Sequence, residues 1–158
     1  MIFYSFCNYY LSSIQQGIQS AHAMHTMFTK YIGGPGLQEQ QMLDEWAKRH
    51  KTMIVLNGGN VADLKGLEAS CKFYGDTLRY PYSSFREDAE SLNGALTAVA
   101  IIVPEKLFLY NQERRKRPPS SVDLYSAATT LAMLQNKFQM TDTEVELANL
   151  ISTCPLAR

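Results

Sequence analysis

The chain predicts an α/β fold: a four-stranded mixed sheet flanked by helices in a three-layer sandwich, followed by a C-terminal helical hairpin. Three observations carry this. Short apolar runs at 2–9, 53–56, 80–85 and 96–103 alternate with longer amphipathic stretches, which is the pattern of strands separated by helices. A length of 158 residues at 46% hydrophobic content fills one good core rather than two. The polar run NQERRKRPPSS at 111–121, basic and carrying two prolines, then separates the sheet-forming part from two further helical stretches.

Each element has its own signal. Residues 2–9 read as the first strand and 13–31 as the first helix, opened by a Ser12-x-x-Gln15 capping box and stopped by GGPG at 33–36. Residues 38–49 form a second helix carrying Trp46, and 53–56 a short second strand. Asn57-Gly58-Gly59-Asn60 is a loop, with Asn60 placed to cap a third helix over 61–75. Residues 80–85 and 96–103 are two more strands, the last almost wholly apolar and therefore central. The first two strands run parallel, because the crossover between them contains helices. Helices over 122–138 and 143–151 follow, announced by Ser120-x-x-Asp123 and Thr141-x-x-Glu144 boxes. The expected organisation is thus an α/β domain at 1–110, a basic Pro-rich linker at 111–121 and a helical extension at 122–158. The moderate amphipathicity of the hairpin's first helix, at Leu124, Ala128, Leu131, Gln135 and Phe138, calls for packing on the core or on a second subunit and favours a homodimer.

Composition narrows the function classes. Fifteen basic and fifteen acidic residues cancel, so no global field draws the chain to nucleic acid or to an anionic membrane, and any tRNA contact needs a local patch such as 48–51 or 114–117. No apolar stretch reaches the roughly 18 to 20 residues of a membrane span. Cys7, Cys71 and Cys154 are scattered without CxxC spacing, which fits buried thiols in a reducing cytoplasm. His22 and His25 stand at i, i+3, but no carboxylate or cysteine nearby completes a metal set, and no cofactor motif is legible. Ser83, Ser84 and Ser91 have no His and Asp arrangement around them that marks a nucleophile.

The run GIQSAHA at 17–23 is the most informative segment. On the first helix Gln15, Gln19 and His22 form one polar line, and Ile14, Ile18, Ala21, His25, Phe28 and Ile32 form the adjoining apolar face. The expectation is that the apolar face, with His25 as a hydrogen-bonded core histidine, packs inward while the polar line borders a cleft.

Gln19-Ser20-Ala21-His22-Ala23, LDEWAKRHKTMIVL at 43–56 and NGALTAVAIIVPEKL at 93–107 together resemble the type 2 peptidyl-tRNA hydrolases, the archaeal and eukaryotic kind, over roughly the first two thirds of the chain. In that family the helix reads Ala-Gln-x-x-His-Ala after a Gly-Lys segment. The resemblance implies ester hydrolysis of peptidyl-tRNA by a lysine, an acidic residue, the helix histidine and an Asp-Ala-Gly-Arg-Thr segment. Here the lysine position is Gln15, the acidic position falls near Asn8, and FREDA at 85–89 replaces the Asp-to-Thr segment, while Thr97 matches the closing strand. Hydrolysis needs a polarised water and a stabilised oxyanion, for which amides are poor substitutes.

Ligands of open α/β sheets lie beyond the carboxyl ends of the parallel strands. The candidate ligand-binding set is therefore Gln15, Gln19 and His22 on one wall, Asn8, Asn57 and Gly58 at the floor, and Tyr82, Arg86 and Asp88 from the opposite loop, with no catalytic and no metal-binding residue. NGGN offers glycines for close approach to a phosphate, and equally reads as a tight turn. Tyr82 offers stacking, Arg86 a phosphate or carboxylate contact and Asp88 a ribose contact, although Tyr80, Tyr82 and Phe85 equally read as packing. Three classes follow. The first is a non-catalytic protein holding a small nucleotide-like ligand, such as a phage protein that sequesters a host immune signal. The others are a peptidyl-tRNA hydrolase and a protein-interaction module using the C-terminal helices.

Overall fold

The computed structural model describes residues 1–34, 36–116 and 124–157. Two compact units emerge, one of residues 1–103 joined by the segment after Thr153, the other over Pro104–Thr153. In the first unit, strands β1 (Ile2–Cys7), β2 (Met53–Asn57), β3 (Tyr82–Arg86) and β4 (Leu96–Val103) form one mixed sheet in the order β2-β1-β4-β3. β1 and β2 are parallel, and β4 is antiparallel to both β1 and β3. Central β4 is buried along its whole length, as its apolar run requires.

Helix α1 (Ser13–Tyr31) lies on one face and α3 (Val61–Leu78) on the other, which strand alternation makes explicit. Ser83 Oγ donates to Ala23 O of α1 at 2.7 Å and Phe85 stacks on His22, whereas Tyr82 sits against Gly75 of α3 and Arg86 pairs with Glu68. A Cβ at Gly75 would collide with the Tyr82 ring and stand 3.0 Å from Tyr80 O, so close packing of α3 on β3 requires glycine there. On the α1 side, α2 (Leu37–Glu45) runs on into a π-helical turn, Trp46–His50, that lays Trp46 on Phe3 with ring centroids 5.3 Å apart. Trp46 Nε1 donates to Thr52 O at 2.8 Å, which fixes the entry to β2.

Both sheet edges are protected. Beside β2, Asn57 N–H donates to Pro155 O and Ala157 N–H to Val55 O. Beside β3, Tyr82 N–H donates to Tyr31 Oη while Lys30 Nζ donates to Tyr82 O and lies over its ring. These contacts occupy ladder groups through which an edge strand recruits another chain. Burial pushes the Tyr31 hydroxyl up to about 12, so it stays protonated at the edge.

Glu39 of α2 is buried and holds Arg79, the left-handed C-cap of α3, with Nε–Oε1 at 2.5 Å and Nη2–Oε2 at 3.1 Å. The hydrogen bond from Arg79 holds the Glu39 carboxyl below its ordinary value of 4.5. A carboxyl whose folded pKa is depressed contributes stability above its unfolded pKa and loses it as pH falls through the folded one. Melting of the wild type and of Glu39→Gln between pH 7 and pH 3 should therefore show a gap near neutrality that closes in acid. A gap independent of pH would show that the pair contributes no charge-linked stability.

In the second unit, α5 (Glu105–Lys116), α6 (Leu124–Lys137) and α7 (Asp142–Thr153) surround buried Leu107, Tyr110, Leu134, Leu147 and Ile151. The expected linker is corrected here, because its first part, from Asn111 to Lys116, is the end of α5. Asn111 Nδ2 donates to Ala148 O at 2.8 Å, and Arg114 donates to Asn149 and to Ser152, so these polar residues tie α5 to α7. The rest of the expected linker and the Ser120–Asp123 box lie outside the described residues. The Thr141 box is formed, with Glu144 N–H on Thr141 Oγ1 and Thr141 N–H on Glu144 Oε2. Among the described residues, no helix is long and apolar enough to cross a membrane.

Candidate functional site

Helix α1 is turned the opposite way from its expected orientation. Its buried residues are Gln16, Gln19, Ser20, Ala23 and Met27, while Ile14, Ile18, Ala21, His25 and Ile32 are exposed. The reason lies in the sheet beneath it. β1 offers Ser5 and Cys7 on this face, and Cys7 Sγ lies 3.2 Å from Ser20 Oγ and donates to Gln16 O. A polar helix face finds partners there, and an apolar one would leave them unsatisfied. Burial raises the Cys7 thiol above its ordinary value, so it remains a neutral donor. His25 is consequently not a core residue.

A bulge in β4 completes the arrangement. Phe85 pairs with Ala98 and Arg86 with Leu96, so Thr97 is the extra residue of the pair. Strict alternation would point Thr97 away from α1, and the bulge re-aims it. Thr97 Oγ1 donates to Gln19 Oε1 at 2.9 Å, and Gln19 Nε2 donates to Glu87 Oε1 at 2.6 Å. This chain runs from a fully enclosed hydroxyl through a buried amide to a half-buried carboxylate at the surface. One turn further along α1, His22 is exposed and stacked on Phe85, with centroids 4.5 Å apart and planes 15° apart. Glu87 itself is fixed by its N–H on Ala95 O, closed by a turn in which Asn93 and Gly94 both have positive φ.

Gln19 and His22 stand together at this rim, as expected. Gln15 is exposed and engaged in the capping box, its Oε1 accepting from Ser12 N–H and Ser12 Oγ. Asn8 lies at the same sheet end and builds the turn after β1, accepting from Tyr10 N–H through Oδ1 and donating its own N–H to Thr97 O. Asn57 and Gly58 border that turn, with Tyr9 N–H on Gly59 O and Gly58 N–H on Cys7 O. Their N–H groups are already engaged: Gly59 donates to Asn57 Oδ1, Asn60 to Asp63, and Ala62 and Asp63 to Asn60. With the Asp63 carboxylate also at the start of α3, the loop is a self-satisfied turn and a poor phosphate cradle. Three strand spacings of about 4.8 Å separate the β2 end from the β3 end, so Asn57 is remote from Glu87.

Tyr82 and Arg86 do not join the rim, because they project from β3 toward α3. Tyr82 lines a separate cavity of about 380 Å³ with Lys65, Glu68 and Lys72. Arg86 Nη2 is held by Glu68 Oε2 at 2.6 Å. Asp88 is exposed at the N-cap position of the single turn α4 (Ala89–Leu92). The residues that face α1 from this strand are Ser83, Phe85 and, just beyond it, Glu87. Alternation counted from Tyr82 gives that set, whereas nothing in the sequence marks the bulge that brings Thr97 to Gln19. The site therefore presents a fixed amide, a carboxylate and an aromatic face, without a cation or an activated nucleophile among the residues that form it.

Compared with protein-family models and with curated proteins, the chain matches none.

Proposed function

We propose that this chain is a non-catalytic binding protein that holds a small nucleotide-type ligand at the rim formed by Gln19, His22, Phe85 and Glu87, on a scaffold resembling the type 2 peptidyl-tRNA hydrolases. The observation that carries the reading is the Thr97–Gln19–Glu87 hydrogen-bonded chain, which ends in an ordered carboxylate beside an exposed stacked ring. Glu87 Oε2 accepts from a ribose hydroxyl or a base amine and repels a phosphate. The outward face of His22 takes a base by stacking, worth about 1–3 kcal/mol. Binding without turnover follows from Gln15, which occupies the position of the family's lysine and is held in a helix cap. A reducing cytoplasm is the compartment that suits this reading, supported by Cys7, Cys71 and Cys154 standing outside any disulfide. A sponge for a nucleotide signal is the activity such a site serves.

The test is a thermal-shift titration against ADP-ribose derivatives, cyclic di- and trinucleotides, NAD, mononucleotides and tRNA. A small nucleotide should raise the midpoint and be recovered intact, and Glu87→Ala and His22→Ala should each weaken it by about tenfold or more. Recovery of a cleaved product would make the protein an enzyme. No shift with any nucleotide, or a shift unchanged in both variants, would remove the reading.

A further inference from the structure

The apolar stripe that α1 turns outward has a regular spacing. Ile14, Ile18, Ala21, His25, Phe28 and Ile32 follow one another at intervals of four, three, four, three and four residues. That is the alternating seam of a two-stranded coiled coil, carried across the whole length of the helix. On a helix that merely covers a sheet this stripe would be buried, yet Ile14 is 78% exposed, Ile18 49% and Ile32 61%. Leu37 at the start of α2, 68% exposed, extends the patch. These four side chains leave on the order of 500 Å² uncovered, more than half of the about 800 Å² that each partner gives to a stable interface.

The spacing also reads the same in both directions. An antiparallel copy of α1 centred on Ala23 sets Ile14 against Ile32, Ile18 against Phe28 and Ala21 against His25, and the same three pairs recur by symmetry. The residues flanking the seam are Gln15, Gly17, His22, Met24, Thr29 and Tyr31, with no Lys, Arg, Asp or Glu among them. Two identical chains would bring like charges together across the axis if charges stood there, and an uncharged flank is what self-pairing needs. Where Ile14 of a second copy would land, a groove of about 420 Å³ opens between α1 and α2, lined by Phe28, Ile32, Leu37 and Leu43 among others.

We infer that α1 is the two-fold interface of a homodimer, packing antiparallel on the same helix of a second copy with Ile14 of each chain seated in the other's groove. This is an isologous contact, closed by a single axis. It leaves the buried polar side of α1, Gln16, Gln19 and Ser20, on the sheet, and it borders the rim at His22, which flanks the seam.

Light scattering and sedimentation of the full chain test it. The wild type should run at twice the 17.8 kDa chain mass. Ile18→Glu places two carboxylates in the seam and should weaken self-association at least about 100-fold, giving a monomer. Ile14→Glu, in the first turn at a highly exposed site, should do the same and serves if Ile18→Glu does not fold. Met133→Glu, on the exposed side of α6, should leave the dimer intact. A monomeric wild type, a dimer that survives both α1 substitutions with circular dichroism unchanged, or a dimer lost through Met133→Glu would each overturn the proposal.

Discussion

Replacing Gln19 with Glu is expected to lower the melting midpoint of the sheet-containing unit by roughly 12 °C or more and to abolish ligand binding at the rim. Gln19 is buried between a hydroxyl that donates and a carboxylate that accepts, and only an amide satisfies both at once. A glutamate keeps the size and the contact with Thr97, but sets a second carboxylate where Nε2 stands 2.6 Å from Glu87 Oε1. Burying an unpaired charge beside a like charge costs about 3 kcal/mol or more, which corresponds to roughly 12 °C or more for a unit of this size. Gln19→Met removes the polar atoms without adding charge, and should cost less, about 1–3 kcal/mol, through the orphaned Thr97 hydroxyl and Glu87. Calorimetry on the two variants checks the order. Equal midpoints for both would mean that the chain of hydrogen bonds is not formed.

The second large effect belongs to the helical unit. Glu144 is 4% exposed and accepts from Lys106 Nζ at 2.7 Å and from Thr141 N–H at 2.9 Å. Lys106→Met removes the cationic partner of a buried carboxylate and should destabilise α5 to α7 by about 3–5 kcal/mol. Glu144→Gln leaves Lys106 free to turn to water and retains an acceptor for the Thr141 cap, so its cost should be smaller, about 1–2 kcal/mol. Hydrogen exchange of the α7 amides reads the two directly. If Lys106→Met proves no costlier than Glu144→Gln, the ion pair is not what holds this helix.

What was legible in the sequence is what local chemistry dictates. The boxes at Ser12 and Thr141, the Asn60 cap and the wholly apolar β4 run each fix an element through neighbours in the chain. The orientation of α1 was not legible from α1 alone, because hydrophobic periodicity assumes an apolar floor. Ser5 and Cys7 make this floor polar, and their alternation with Tyr4 and Phe6 is the clue that lies outside the helix. Helix α5 was hidden for a similar reason. QERRK reads as a solvated run, while Leu107, Tyr110, Asn111 and Arg114 form a single helical stripe once Asn111 and Arg114 have α7 to bind. Gln19 and His22, half of the rim, were readable as members of one polar line on α1. Glu87 needed the register of β3, and Thr97 needed a bulge that no residue announces.

The central claim is that a nucleotide-type ligand occupies the rim around Gln19, His22 and Glu87. Two-dimensional 1H–15N NMR of the labelled full chain, titrated with the nucleotide that gives the largest thermal shift, tests it most directly. The account predicts that the Gln19 side-chain amide, the backbone amides of Phe85 and Glu87 and the His22 ring shift together, while Asn57, Gly58 and the residues around Tyr82 on the α3 face stay in place. Shifts that instead cluster at Lys65, Lys72 and Tyr82, or no shift at the Gln19 amide at saturation, would contradict it.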